Sequence, residues 1–171
     1  MEAGSMHILL VEDNVVNQRL ITKLLQKFGC TVSTANNGQE ALDYLSSPPS
    51  ISNPRPVMIF MDVSMPVMTG YEATKIIRTQ PPFCTDSQIL ATPIIGMPIQ
   101  HIIGDKAKCL EVGMNDVITK PIYPRILKQT LLRWSRWQVL QGGPGSLSQY
   151  SRVPAWGPIP LRAYRGPRSL L

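Results

Sequence analysis

A chain of 171 residues, 43% hydrophobic and 16% charged, has room for one domain with a sizeable core and leaves a remainder. No apolar run approaches the roughly 20 residues needed to span a bilayer, and residues 1–6 lack the basic-then-apolar layout of a secretory signal. Most of the net charge of +6 belongs to residues 141–171, where Arg152, Arg162, Arg165 and Arg168 stand without a single acid.

In chain order, Met6–Val11 is a short apolar run that ends in Glu12 and Asp13, which predicts a buried strand with a charged carboxyl end. Asn14 is suited to cap a following helix, whose apolar face is Leu20, Ile21, Leu24, Leu25 and Phe28, with Gly29 as its stop. Thr31–Ala35 is a second strand. A turn at Asn36–Gly38 leads into a helix carrying Ala41, Leu42 and Leu45. Ser46–Pro56, rich in proline and serine, is a long loop. Val57–Met61 is an unbroken apolar strand that ends at Asp62, and Gly70–Arg78 is a short helix. Thr79–Thr92, with Pro81 and Pro82, is taken as a polar connection. Pro93–Met97 is a fourth strand, Gly104–Val112 a helix ended by Gly113, and Asp116–Thr119 a fifth strand ending at Lys120-Pro121. Tyr123 to about Trp137 is a last helix, with Ile126, Leu127, Thr130, Leu131 and Trp134 facing inward.

Five alternations of strand and helix predict an α/β domain with a five-stranded parallel sheet, doubly wound by helices on both faces. The non-alternating apolar strands agree, because such a sheet is buried on both sides. The expected division is an extension at 1–5, a domain at 6–138 and a Pro/Gly/Arg-rich tail at 139–171, without periodicity and expected to be disordered. Cys30, Cys84 and Cys109 show no metal-ligand spacing and are expected to be reduced thiols of a cytoplasmic protein, or a nuclear one if the chain is eukaryotic.

In open α/β sheets ligands sit beyond the carboxyl ends of the strands, and three strands end there in charge: Glu12-Asp13, Asp62 and Lys120. Carboxylates gathered in one pocket repel one another, and a divalent cation relieves that. Oxygen ligands without Cys or His favour Mg²⁺, which also binds phosphate oxygens. Lys120 supplies a point charge for a phosphoryl oxygen, and an aspartate so placed can attack phosphorus to form an acyl phosphate.

Leu9-Leu-Val-Glu12-Asp13-Asn14-Val-Val-Asn17-Gln18 resembles the opening of response-regulator receiver domains. Asp62-Val-Ser-Met65-Pro66-Val-Met68-Thr-Gly70-Tyr-Glu72 resembles their phosphoacceptor loop, and Gly113-Met-Asn-Asp116-Val-Ile-Thr-Lys120-Pro121 their last strand and lysine. The resemblance covers about residues 6–137. Asn14-Val-Val-Asn17-Gln18 and Gly104-Asp105-Lys-Ala-Lys-Cys109 are most similar to receivers of hybrid histidine kinases. It implies the flavodoxin-like receiver fold, with Asp62 as phosphoacceptor from a phosphohistidine on a histidine kinase or histidine-phosphotransfer protein. It further implies Mg²⁺ on Asp13, Asp62 and the backbone carbonyl of Ser64, with Glu12 acting through water. Lys120 would hold a phosphoryl oxygen, and its bond to Pro121 is expected to be cis. Such a domain accepts a phosphoryl group without being a turnover enzyme.

Two positions depart from the family. Its switch hydroxyl, at the end of the fourth strand, is replaced by Pro98, with Ile99 next, and its aromatic switch partner, three residues before the lysine, is Val117. That motivates a competing reading, a degenerate receiver that works by docking alone. An aspartyl phosphatase is disfavoured because Ser64 stands where its general acid would be. DNA binding is disfavoured because residues 141–171 are too short and too poor in periodic apolar positions for an output domain. His7, His101, Asp105 and Asp116 are expected to be structural or surface residues, the two acids as helix cap and turn residue. Met58, Met61, Met65, Met68, Met97 and Trp134 are expected to pack, Trp137 and Trp156 to pack at helix ends or lie in disorder, and the tail arginines to belong to an unstructured solubilising tail.

Overall fold

The computed structural model describes residues 6–99 and 104–140, with side chains through residue 136. The chain divides into two compact units, Met1–Thr130 and Leu131–Leu171. The first contains the sheet and the candidate site. The expectations for the tail, His101, Trp156 and the Trp137 side chain fall outside the described residues.

Strands β1 (His7–Val11), β2 (Thr31–Ala35), β3 (Met58–Asp62), β4 (Ile94–Met97) and β5 (Asp116–Val117) form one parallel sheet in the order β2-β1-β3-β4-β5. Successive side chains of a strand point to opposite faces. Leu9, Val11, Ile59, Met61 and Ile94 belong to a core shared with Ala41, Leu42, Leu45, Ala73, Ile77, Ile89 and Cys109. Their neighbours Ile8, Leu10, Met58, Phe60, Ile95 and Met97 are equally inaccessible, each at 0% exposure, so both faces of the sheet are covered.

Helices α1 (Val15–Lys27), α2 (Gly38–Ser46) and α3 (Gly70–Thr79) follow the first three strands. Asn14 caps α1 by accepting from Val16 and Asn17 N–H, and Thr69 opens α3 in a reciprocal capping box with Glu72. The 79–92 segment is not the open connection expected. It holds a 3-10 turn at Phe83–Thr85 and a short helix α4 (Ser87–Ala91), capped by Asp86 and anchored by buried Phe83 and Ile89. Helices α5 (Asp105–Glu111) and α6 (Pro124–Leu140) complete the described elements, none of which is long and apolar enough to cross a membrane.

The helix faces need local correction. On α1, Ile21 and Leu25 are buried but Leu20 is 53% exposed, and on α6, Leu127 and Thr130 are buried but Ile126 is 42% exposed. Leu131 and Trp134 are buried as expected. Asp105 does not cap its helix, because Gly104 at φ +92° holds the cap position and Asp105 is the first helical residue. Asp116 lies in β5, where its side chain accepts Val117 N–H at 2.8 Å. His7 is structural: its ring nitrogens meet Thr31 Oγ1 at 2.9 Å and the Tyr44 hydroxyl at 3.0 Å. All three cysteines are free thiols.

Val67, 84% exposed, adopts φ +68°, a left-handed conformation that a β-branched residue reaches only at a cost. Val67→Asn, which tolerates that region, is expected to raise unfolding free energy by about 0.5–1 kcal/mol. Urea unfolding checks this, and an unchanged or lower midpoint would contradict it.

Candidate acidic site at the strand ends

Between β1 and β3 the order of the strands reverses direction, which opens a crevice at their carboxyl ends. β1 runs straight into Glu12 and Asp13, and β3 ends on Asp62 itself. The chain leaves β3 through Val63-Ser64-Met65 and returns at once to start α3. There the backbones approach so closely that a Cβ on Gly70 would stand 2.0 Å from the Asp62 carbonyl oxygen, so only glycine fits.

One carboxylate oxygen from each of Glu12, Asp13 and Asp62 lies within 4.8 Å of the other two. Glu12 is fully buried, Asp62 is 3% exposed, and Asp13 faces solvent. Lys120 reaches in from beyond β5, with Nζ 2.6 Å from Asp62 Oδ2 and 2.7 Å from Glu12 Oε2. Ile99 bridges the Lys120 backbone, and Lys120 N–H donates to the Pro98 carbonyl at 2.8 Å, which fixes the root of the side chain. The Lys120–Pro121 bond is cis, as expected. Burial alone would depress the lysine pKa, but Asp62 and Glu12 more than offset it and hold the ammonium above its ordinary value.

The remaining carboxylate valences are divided unevenly. Asp62 Oδ1 accepts Ser64 N–H at 3.2 Å. Glu12 Oε1 accepts Asn14 N–H at 3.2 Å and the Asn17 side-chain amide at 3.4 Å. Glu12 Oε2 faces the Lys120 ammonium at 2.7 Å and meets no other donor among the described residues. Two buried carboxylates and an open acidic neighbour, with no nitrogen or sulfur ligand beside them among the described residues, make a donor set suited to a hard dication.

Every residue named for the site from the sequence is therefore at the same sheet end: Glu12, Asp13, Asp62, Ser64 and Lys120. Pro98 is buried directly after β4, and Val117 is half-buried in β5. What the sequence reading did not assign is the surrounding amide work of Asn17 and Gln18, quoted there only as part of a motif.

The description of the response regulator receiver domain family matches residues 8–132. The chain is 36% identical over 127 residues to hybrid signal transduction histidine kinase I of Dictyostelium discoideum, covering 72% of this chain and 7% of that protein. It is 35% identical over 161 residues to histidine kinase 1 of Arabidopsis thaliana, covering 78% and 13%. The chain thus spans a small fraction of the curated relatives it matches. Among solved structures it resembles the receiver domain of sensor histidine kinase PA1611 from Pseudomonas aeruginosa, described with magnesium in its active-site cleft, at TM-score 0.63 and 35% identity over 77% of this chain and 98% of that one. It also resembles a co-crystal of the Saccharomyces cerevisiae phosphotransfer protein Ypd1 with the receiver domain of Ssk1, at TM-score 0.67 and 28% identity over 88% and 97%. With the 2-1-3-4-5 parallel sheet and its acidic strand ends, these matches make the chain a member of the response-regulator receiver domain family.

Proposed function

We propose that this receiver is a working phosphoacceptor of a two-component phosphorelay, in which Asp62 takes a phosphoryl group from a phosphohistidine. The observation that carries the reading is the contact of Lys120 Nζ with Asp62 Oδ2 at 2.6 Å inside a nearly buried acidic pocket, a nucleophile and its charge partner already together.

For transfer, Lys120 exchanges the Asp62 oxygen for a phosphoryl oxygen, which frees the carboxylate to attack phosphorus. An O–P bond forms as the N–P bond of the donor breaks, and the electron pair of that bond returns to the imidazole. Asp13, Asp62 and the Ser64 carbonyl would hold Mg²⁺ directly and Glu12 through water; the bound ion supplies positive charge against the phosphoryl oxygens. Each chain takes up one phosphoryl group on one carboxylate, which makes the proposed role that of an acceptor and not a turnover enzyme. Its donor is a histidine kinase or histidine-phosphotransfer protein, and the setting of its relatives supports a place in a hybrid kinase. Three free thiols fit a cytoplasmic location. Incubation with a ³²P-labelled phosphohistidine donor should move label onto the wild type and not onto Asp62→Asn; label that stays on the donor would overturn the reading.

A second reading, docking without phosphorylation, is favoured by Pro98 and Val117. Proline offers no hydroxyl to a phosphoryl group, and the Pro98 carbonyl is already tied to Lys120 N–H. A change of state needs contacts that differ between the states. Phosphorylation is therefore expected to alter the segment after Pro98 little, and Pro98→Thr to increase that response. Amide chemical shifts with and without beryllofluoride, a phosphoryl mimic, check this; an equally large shift in wild type and variant would contradict it.

A further inference from the structure

Glu12 and Asp13 are consecutive, yet the peptide between them has left the sheet, and its orientation decides where both carboxylates point. Gln18, one turn into α1, donates its side-chain amide to the Glu12 carbonyl oxygen at 3.1 Å and to Asn36 Oδ1 at 3.2 Å. Asn36 is itself fixed, with backbone and side-chain N–H both on Glu40 Oε2 at 2.8 Å. A braced chain thus runs from the first turn of α2 across the end of β2 to the Glu12–Asp13 peptide. The preceding residue, Asn17, joins Asn14 N–H on Glu12 Oε1, at 3.4 and 3.2 Å, leaving Oε2 to the Lys120 ammonium at 2.7 Å.

We infer that Asn17 and Gln18 are positioning residues for the metal pair, Asn17 selecting which Glu12 oxygen faces the pocket and Gln18 fixing the peptide that aims both acids. The inference rests on the metal-dependent acceptor reading above. Partners that orient ligands from outside commonly change metal affinity by about 10–100-fold when removed. Helical spacing makes the division of labour possible: the capped first turn of α1 brings two consecutive amides over the end of β1, one beside the carboxylate and one beside its backbone.

The test is Mn²⁺ binding to the full chain, followed by the electron paramagnetic resonance signal of the free ion. Wild type should bind, and so should Arg19→Ala, whose side chain is exposed. Asn17→Ala and Gln18→Met should each bind about 10-fold more weakly; methionine keeps the length of glutamine and removes only its polar end. Asn36→Ala should weaken binding less, because Gln18 keeps one of its two anchors. With acetyl phosphate, both positioning variants should need more Mg²⁺ yet regain nearly the wild-type rate at saturation, a split that general destabilisation does not produce. Wild-type affinity in Asn17→Ala and Gln18→Met would overturn the inference alone, whereas a wild type that binds no Mn²⁺ would overturn the acceptor reading with it.

Discussion

Replacing Lys120 by methionine is expected to destabilise the metal-free protein by about 3 kcal/mol, with most of the loss restored by Mg²⁺. Lys120 is the cation that meets two carboxylates with almost no access to water, Glu12 at 0% and Asp62 at 3% exposure. Removing one partner of a buried ion pair typically costs about 3–5 kcal/mol, because it strands the other charge. The lysine side chain is 17% exposed, which places the expectation at the low end. Urea unfolding in chelator and in excess Mg²⁺ measures both parts. The same variant should accept phosphate at least about 100-fold more slowly, the usual scale for deleting one group that stabilises developing charge. Wild-type stability in chelator would mean that the pocket tolerates its acids without the ammonium.

Arg78→Met is expected to cost a similar amount, about 3 kcal/mol or more, for a different reason. The Arg78 guanidinium, at the end of α3, donates to the carbonyls of Gly113, Ile89, Leu90 and Thr92 at 3.0–3.4 Å and to Asn115 Oδ1 at 2.8 Å. Burial pushes its pKa down to about 10, still well above neutral pH. Methionine would remove the guanidinium from all five; Asn115 Oδ1 keeps Ile94 N–H and the Ile89 carbonyl keeps Thr92 N–H, but the carbonyls of Gly113, Leu90 and Thr92 would lose this donor, at roughly 1–3 kcal/mol for each one that water cannot reach. Gly113 belongs to the arrangement: at φ +104°, a Cβ there would stand 2.8 Å from Arg78 Cγ. Arg78 lies at the end of α3 away from Gly70 and Asp62, so the variant should still take up phosphate at low temperature. A thermal midpoint within a degree or two of wild type would show that these contacts contribute little.

The sheet and its acidic end were legible because parallel strands covered on both faces are written as unbroken apolar runs, and three of those runs stop at charge. Strand ends shifted by one or two residues: the third strand ends at Asp62 as expected but begins at Met58 rather than Val57, and the fifth stops at Val117 rather than Thr119. Helix α4 was not legible, since five residues are too few to display a period and Pro81-Pro82 just before it signalled a loop. Leu20 and Ile126 show the angular limit of periodicity, apolar positions that fall just outside the stripe their helices bury. Arg78 was invisible in its role because its partners lie 11 to 37 residues away and are mostly backbone carbonyls. Asn17 and Gln18 were quoted, but an amide on a helix has no chemistry of its own until the fold shows which oxygen it meets. The strained backbone at Val67 leaves no trace in residue type at all.

Incubating the full chain with acetyl phosphate and Mg²⁺, and following its intact mass, tests the central claim most directly. A single phosphate adduct is expected on the wild type, and none on Asp62→Asn or in the presence of a chelator. An adduct that persists in Asp62→Asn, or no adduct on the wild type, would contradict the assignment of Asp62 as a metal-dependent phosphoacceptor.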